Sequence, residues 1–230
     1  MLQLTDLEQE ALALSLRVAI WAVATGLPIA LAVAWLLARR DFPGKTLLNG
    51  VVHLPLVLPP VVVGYLLLLT FGRQGPVGRL LHDTLGVTIA FTWQGAALAA
   101  AVMAFPLMVR AIRLSLEAVD ARLESAARTL GAGRLEVFLT VTLPLTAPGL
   151  LAGAILGFAR SLGEFGATIT FVSNIPGETR TLPLALYSLV QQPGGEAGAL
   201  RIAVISVVLA LVALAGSELL ARRVKARIAG

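Results

Sequence analysis

Long apolar stretches and short charged clusters alternate along the chain, at a spacing far wider than the turn of an amphipathic helix or the pleat of a strand. Four stretches contain no Asp, Glu, Lys or Arg: residues 18–38, 46–72, 84–109 and 137–159, each at least 21 residues long. About 20 helical residues, rising about 1.5 Å each, cross a hydrocarbon core of about 30 Å. Each stretch therefore predicts one membrane-spanning helix. A fifth, 202–217, is shorter, but beyond Glu218 the apolar run continues through Leu219, Leu220 and Ala221 to Arg222, and it predicts a fifth span. Between the fourth and fifth, residues 164–201 are cut by Glu178, Arg180 and Glu196 into pieces too short to cross, which predicts a re-entrant or outer-surface segment.

The fold class that follows is all-α: a polytopic membrane protein of about five transmembrane helices, with residues 1–230 forming one transmembrane domain. Composition agrees. Of 230 residues 57% are hydrophobic and 13% are charged, against roughly 25% charged in soluble domains. The first ten residues carry Asp6, Glu8 and Glu10, the reverse of the basic start of a signal peptide, so the first span is expected to remain in the mature protein.

Charge then sets orientation. Arg39, Arg40 and Lys45, the five arginines between Arg110 and Arg134, and Arg222, Arg223, Lys225 and Arg227 fall on one set of connections. The other side holds Arg73, Arg79 and Arg180, with Arg17, Arg160 and Arg201 at the margins. Basic residues near span ends collect in the cytoplasm. The N-terminus is therefore expected outside and the C-terminus inside. The same rule accounts for the net charge of +5, and nucleic acid is not expected as a partner.

Little in the chain can do covalent chemistry. With no cysteine there is neither a disulfide nor a thiolate metal site. His53, inside the second span, reads as a hydrogen-bonded packing residue, and His82 lies too far from it in sequence to make a convincing ligand pair. No metal, cofactor or catalytic residue is assigned. Pro43-Gly44-Lys45-Thr46 resembles the end of a phosphate-binding loop, but Arg39 stands where that motif needs another glycine. It reads as a turn, and any ATP used must be hydrolysed by another chain.

The longest polar connection on the basic side runs from Arg110 to about Glu136. Within it residues 119–130 favour helix, being rich in Ala, Leu, Arg and Glu without Gly or Pro. Gly131 and Gly133 follow as terminators. Glu124 and Arg128 are polar positions of this helix, Arg134 lies just beyond it, and the small Ala126 and Ala127 permit close approach of a partner surface.

From Ser125 the chain reads Ser-Ala-Ala, three residues, Gly131, nine residues, then Val141-Thr142-Leu143-Pro144. This resembles the Glu-Ala-Ala loop of binding-protein-dependent ABC importer permeases, with Ser125 where that family has Glu and Glu124 one residue earlier. The segments 53–64 (HLPLVLPPVVVG), 105–110 (FPLMVR) and 161–171 (SLGEFGATITF) look like the molybdate permeases of the family, with the sulfate permeases as nearest relatives. The resemblance implies a cytoplasmic coupling loop over about 111–142. Its helix, with Glu124, Ser125, Ala126, Ala127, Arg128, Gly131 and Arg134, would dock on an ATPase subunit.

Two groups stand out as pore or gate candidates. Pro59, Pro60 and Gly64 interrupt the second span, since proline removes a backbone donor and clashes with the preceding turn. Such backbone is tolerated in a membrane where it is buried or lines a watery cavity. Arg160 and Glu164 flank Ser161-Leu-Gly at what reads as the outer end of the fourth span, four apart and able to pair. Ionisable residues near a membrane interior are functional candidates, and Arg160 would draw a dianion.

The expected function is the permease subunit of an ATP-driven importer that moves molybdate across the inner membrane by alternating access. The expected partners are a second permease chain, two cytoplasmic ATP-binding subunits, an extracytoplasmic substrate-binding protein and membrane lipid. The alternatives are a tungstate or sulfate permease or, from different classes, an integral-membrane lipid-acting enzyme or a membrane scaffold.

Overall fold

A computed structural model describes residues 4–229, and among them every regular element is a helix. The first, α1 (Asp6–Arg39), starts on a capping box: Thr5 Oγ1 accepts the Glu8 N–H, and the Glu8 carboxylate accepts the Thr5 N–H at 2.9 Å. Its buried positions, Ser15, Ala19, Ala22, Gly26, Ala30 and Ala34, recur every three or four residues and form a smooth face. The buried face of α5 (Trp93–Glu117) is likewise small, with Ala96, Ala100 and Ala104, and α8 (Leu143–Leu162) contributes Gly149, Gly153 and Gly157. Lipid tails are as apolar as leucine, so helices in a bilayer associate through close packing, and small residues permit it. Met108 fills the space where the three helices meet. A Cβ added at Gly26 would lie 2.8 Å from Met108 Cε, and one added at Gly157 would lie 2.8 Å from its Sδ.

Helix direction follows from these layers. Val18 and Ala22 cluster with Ala96, Ala100 and Met103, while Ala34 and Leu37 cluster with Ile112 and Leu116, so α1 and α5 are parallel. The chain must therefore return between them. It does so through α2 (Lys45–Val57), whose Leu48 and Val52 join the Leu37 layer, and α3 (Pro60–Phe71), whose Val63 and Leu67 join the Val18 layer. Next α4 (Pro76–Leu85) and a short loop lead to Thr92, which caps α5. α8 runs back against α5, with Gly149 at Ser115 and Gly157 at Met108. α11 (Glu196–Ala229) leaves from the end where Arg201 pairs with Glu8 at 2.9 Å and packs on α8. Among the described residues four helices are long and apolar enough to cross a membrane, and the bent α2–α3 pair, taken as one span, makes a fifth.

Three features differ from the sequence reading. Residues 46–72 are not one rod: α2 and α3 meet at 117°. Their 13 and 12 residues reach about 20 and 18 Å at 1.5 Å per residue, so neither crosses alone. The third span begins at Trp93, not at residue 84, because Gly86 at φ 67° ends α4 and Thr92 opens a new helix. Finally, of the two readings of 164–201, re-entrant or outer-surface, the packing argues against the outer-surface one. The segment's α9 (Gly166–Val172) buries Phe171 and Val172 completely in the Val18 layer, and its α10 (Leu182–Val190) packs on α1 and α11, with the Leu182 N–H donated to Ser15 Oγ at 2.7 Å.

The smaller expectations hold. Pro43-Gly44 is a turn, with Gly44 at φ 91°, and Lys45 and Thr46 open α2. Beside it Lys45 Nζ donates to Asp41 at 2.9 Å, and that bond, with the ammonium charge, holds the Asp41 carboxyl below its ordinary range. His53 Nδ1 bonds the Asn49 carbonyl oxygen at 2.8 Å, as a packing residue does.

Candidate transport pathway and docking surface

Two of the breaks in the helical backbone touch each other. One is Leu58-Pro59 between α2 and α3, and the other is residues 163–165 between α8 and α9. A Cβ on Gly166 would lie 2.7 Å from Pro60 Cβ, and one on Gly64 would lie 2.5 Å from the Ala167 carbonyl oxygen and 2.9 Å from Thr170 Cβ. Only glycine lets α3 and α9 approach so closely. Sequence reading picked Pro59, Pro60 and Gly64 and, about 100 positions later, Glu164; the fold brings the two groups together.

Glu164 forms the centre of this junction. One carboxylate oxygen accepts the Ala167 N–H at 2.7 Å, the other meets Arg160 Nη1 at 2.6 Å, and the side chain is 2% exposed. Both oxygens therefore have a partner, as a buried charge requires. Arg160 is 27% exposed, and a guanidinium carries five N–H donors, so the pair leaves Arg160 able to hold an anion. The pair is also deeper than its place at the end of α8 suggests. Gly157 lies at the Met108 layer, near the middle of α5, and Arg160 is three residues beyond it, about 4.5 Å at 1.5 Å per residue. The sequence reading put the pair at the outer end; α8 stops near mid-bundle and α9 completes the crossing.

The second region lies at the end of the bundle that holds Arg39. Residues Ala121–Thr129 form α6, capped by Asp120, whose carboxylate accepts the Arg122 N–H at 2.9 Å. Gly131 at φ 92° ends it. The Ala132 N–H reaches the Ala127 carbonyl, and the Gly131 N–H that of Arg128, the paired bonds of a Schellman terminus. Then α7 (Arg134–Val137) passes through a π-helical turn (Phe138–Thr142) into α8. Pro144, which has no N–H, follows directly, and Leu143 bonds Phe138 five residues back.

Glu124 is turned toward the spans. Its Oε1 accepts from Arg39 Nη2 and from Thr142 Oγ1, both at 2.9 Å. α6 is thus clipped to the end of α1 and to the π turn, while Ser125, Ala126, Arg128, Gly131 and Arg134 are exposed and Ala127 is half-buried. Leu130 is 89% exposed, and an apolar side chain so bare suits a partner surface. The candidate docking residues and the candidate pore residues occupy separate regions, linked by α8.

Arg39, Thr142, Gly166 and Ala167 were missed as site residues. Arg39 enters the sequence reading through topology and through the missing glycine of a phosphate-binding loop, and no local pattern marks a contact across 85 positions. For Gly166 and Ala167 a weak signal existed, a second small-residue step just after Glu164. Among the described residues no group of three metal-ligating side chains gathers.

The sequence profile of the family described as binding-protein-dependent transport system inner membrane component matches residues 17–226. The chain belongs to this family. As one of these inner membrane components it is a multi-pass membrane protein. It is 65% identical over 219 residues to the molybdenum transport system permease protein ModB of Escherichia coli, covering 95% of this chain and 96% of that one. Against the protein of the same name from Haemophilus influenzae the identity is 57%, covering 96% and 97%. Among solved structures, a bacterial ABC transporter involved in the import of the acidic polysaccharide alginate superimposes with a TM-score of 0.77, covering 96% of this chain and 80% of that one. At 17% identity that likeness is one of fold.

Proposed function

We propose that the chain is the membrane-spanning subunit of an ATP-driven importer for molybdate. The observation that carries this reading is the 65% identity to the molybdenum permease, which runs along 95% of the chain and takes in the junction and the docking helix alike. Two copies enclose one pathway; the exposed Leu47, Val51, Leu54, Val61 and Tyr65 of the broken pair give a second copy an apolar face to meet. ATP is hydrolysed by two separate cytoplasmic subunits, each seated on the α6 of one copy. A binding protein delivers the anion from outside, as suits a family defined by binding-protein dependence; a relative in fold has been solved with a substrate-bound periplasmic protein.

Orientation follows from charge. The Arg39 end, with α6, faces the cytoplasm, and the N-terminus lies outside. When the ATPases close on ATP, the two α6 helices are drawn together. Because each is clipped to α1 and to the foot of α8, the movement passes into the spans. The junction of the two breaks, with Arg160 and Glu164 at mid-depth, is the part of the path that opens and shuts.

The test is reconstitution. The chain, its ATPase and its binding protein in liposomes should take up labelled molybdate only with ATP inside the compartment the ATPase faces, and molybdate should stimulate hydrolysis. Tungstate should compete, being a tetrahedral dianion of nearly equal size. Failure of an ATPase to co-purify, with activity from the chain alone, would return the lipid-enzyme alternative.

A further inference from the structure

At the Arg39 end, a cavity of about 390 Å³ is lined by Trp35, Arg39, Arg40, Glu124, Arg128 and Arg134, among others. Its one carboxylate is already engaged by Arg39 and Thr142. Arg40, Arg128 and Arg134 take part in no ion pair among the described residues, and the buried Arg39 Nε has no hydrogen-bond partner there. Three uncompensated guanidiniums and one spare N–H thus face a single cavity. Arg40 is further held above the Trp35 ring, 5.5 Å from its centroid.

A second, apolar groove of about 680 Å³ opens from the same place. It shares Trp35, Arg40, Arg134 and Phe138 with the basic cavity and continues past Leu36, Ala32 and Leu31 to Pro28. From Arg40 back to Pro28 is twelve residues of α1, about 18 Å at 1.5 Å per residue, and one leaflet of hydrocarbon is about 15 Å deep. The groove's only polar lining is the pair of arginines at its mouth.

We propose that this composite site binds an anionic phospholipid, its phosphate among Arg40, Arg128 and Arg134 and an acyl chain along α1 beside Trp35. The charge of the cavity selects an anion; the length and apolarity of the groove select a lipid over a free anion or a soluble partner, neither of which follows α1 into the hydrocarbon. Basic pockets at the membrane surface attract anionic headgroups in this way. Because the cavity also touches Glu124 and lies beside α6, the lipid would brace the clip between the docking helix and the spans. The inference uses the chain's membrane location and not its substrate.

Trp35 is the natural reporter, since the chain has three tryptophans and Trp21 and Trp93 pair with each other in the Val18 half of the bundle. With Trp21→Phe and Trp93→Phe, the full chain in bilayer nanodiscs should show Trp35 quenched more by brominated phosphatidylglycerol than by brominated phosphatidylcholine at the same mole fraction. Arg40→Gln and Arg134→Gln should each weaken the preference roughly fivefold. Ala32→Phe, which keeps every charge but fills the groove, should lower quenching too. Counting retained phosphatidylglycerol by native mass spectrometry on the tryptophan-intact chain gives a second reading that needs no tryptophan substitution. Equal quenching by the two lipids, a preference indifferent to the arginines, or displacement of the lipid by inorganic phosphate would overturn the proposal. Each of these readouts is of lipid binding and not of molybdate uptake, so failed uptake would leave the lipid site standing.

Discussion

Glu124 holds Arg39 across 85 positions, with Oε1 2.9 Å from Nη2 and Thr142 Oγ1 at the same distance. This contact joins α6 to two spans at once, and it suggests how movement of a short peripheral helix reaches the bundle.

Removing the clip should uncouple the protein before it unfolds it. Glu124→Ala leaves the half-buried Arg39 without its acceptor, a loss of about 1–3 kcal/mol. The expected result is normal membrane insertion with lowered thermal stability, ATPase that still co-purifies, and uptake reduced relative to hydrolysis. The pair Arg39→Met with Glu124→Leu should recover the stability but not the coupling. Uptake per ATP hydrolysed in liposomes decides it.

Gly64 should not accept any side chain. Gly64→Val drives a Cβ into the Ala167 carbonyl and separates α3 from α9, and overpacking of this kind costs about 1–3 kcal/mol. Transport should be lost. Gly50→Ala is the control: nothing lies within 4 Å of a Cβ there, and in a helix the change should be neutral or stabilising by up to about 1 kcal/mol.

For Arg160 and Glu164, single and double variants separate pathway from scaffold. Arg160→Gln leaves the buried Glu164 unpaired, at about 3–5 kcal/mol, and should impair uptake. If the arginine attracts the dianion, adding Glu164→Gln restores thermal stability but not uptake. Recovery of uptake in the double variant, at matched membrane abundance, would make the pair structural and move the search for the gate to Pro59 and Pro60.

The outer face of α6 should be replaceable without harm to the fold but not without harm to docking. Leu130→Asp, at a bare position, should insert normally and lose ATPase in a pull-down. Ala127→Trp should block the same surface sterically. Gly131→Val places a β-branched residue at φ 92°, a strain of about 1–3 kcal/mol, and should fray the terminus. Full ATPase binding by the Leu130 variant would show that α6 is not the docking element.

Topology can be read with single cysteines in this Cys-free chain. A cysteine at His82 should react with an impermeant reagent from outside, and cysteines at Leu47 and Ala132 should react only after the membrane is opened. Labelling of Ala132 from outside would invert the molecule.

Hydropathy, charge and local punctuation were enough to read about five crossings, the basic end and the helix that Gly131 terminates, and to single out Pro59, Pro60, Gly64, Arg160 and Glu164 as candidates. All are properties of short windows: whether a stretch can sit in lipid, whether a residue can hold φ above zero, whether a charge interrupts an apolar run. What no window contains is which residues meet. The 117° bend between α2 and α3 arises because Pro59 and Pro60 break the ladder while α9 offers Gly166 and Ala167 to receive α3. The depth of the Arg160–Glu164 pair depends on where α8 stops against Met108. The inward turn of Glu124 needs Arg39, brought near by the parallel packing of α1 and α5. Sequence alone thus determined what each segment can tolerate, and only the packed bundle decided its neighbours, because contacts between helices depend on the register of small residues along separate helices and not on the composition of either one.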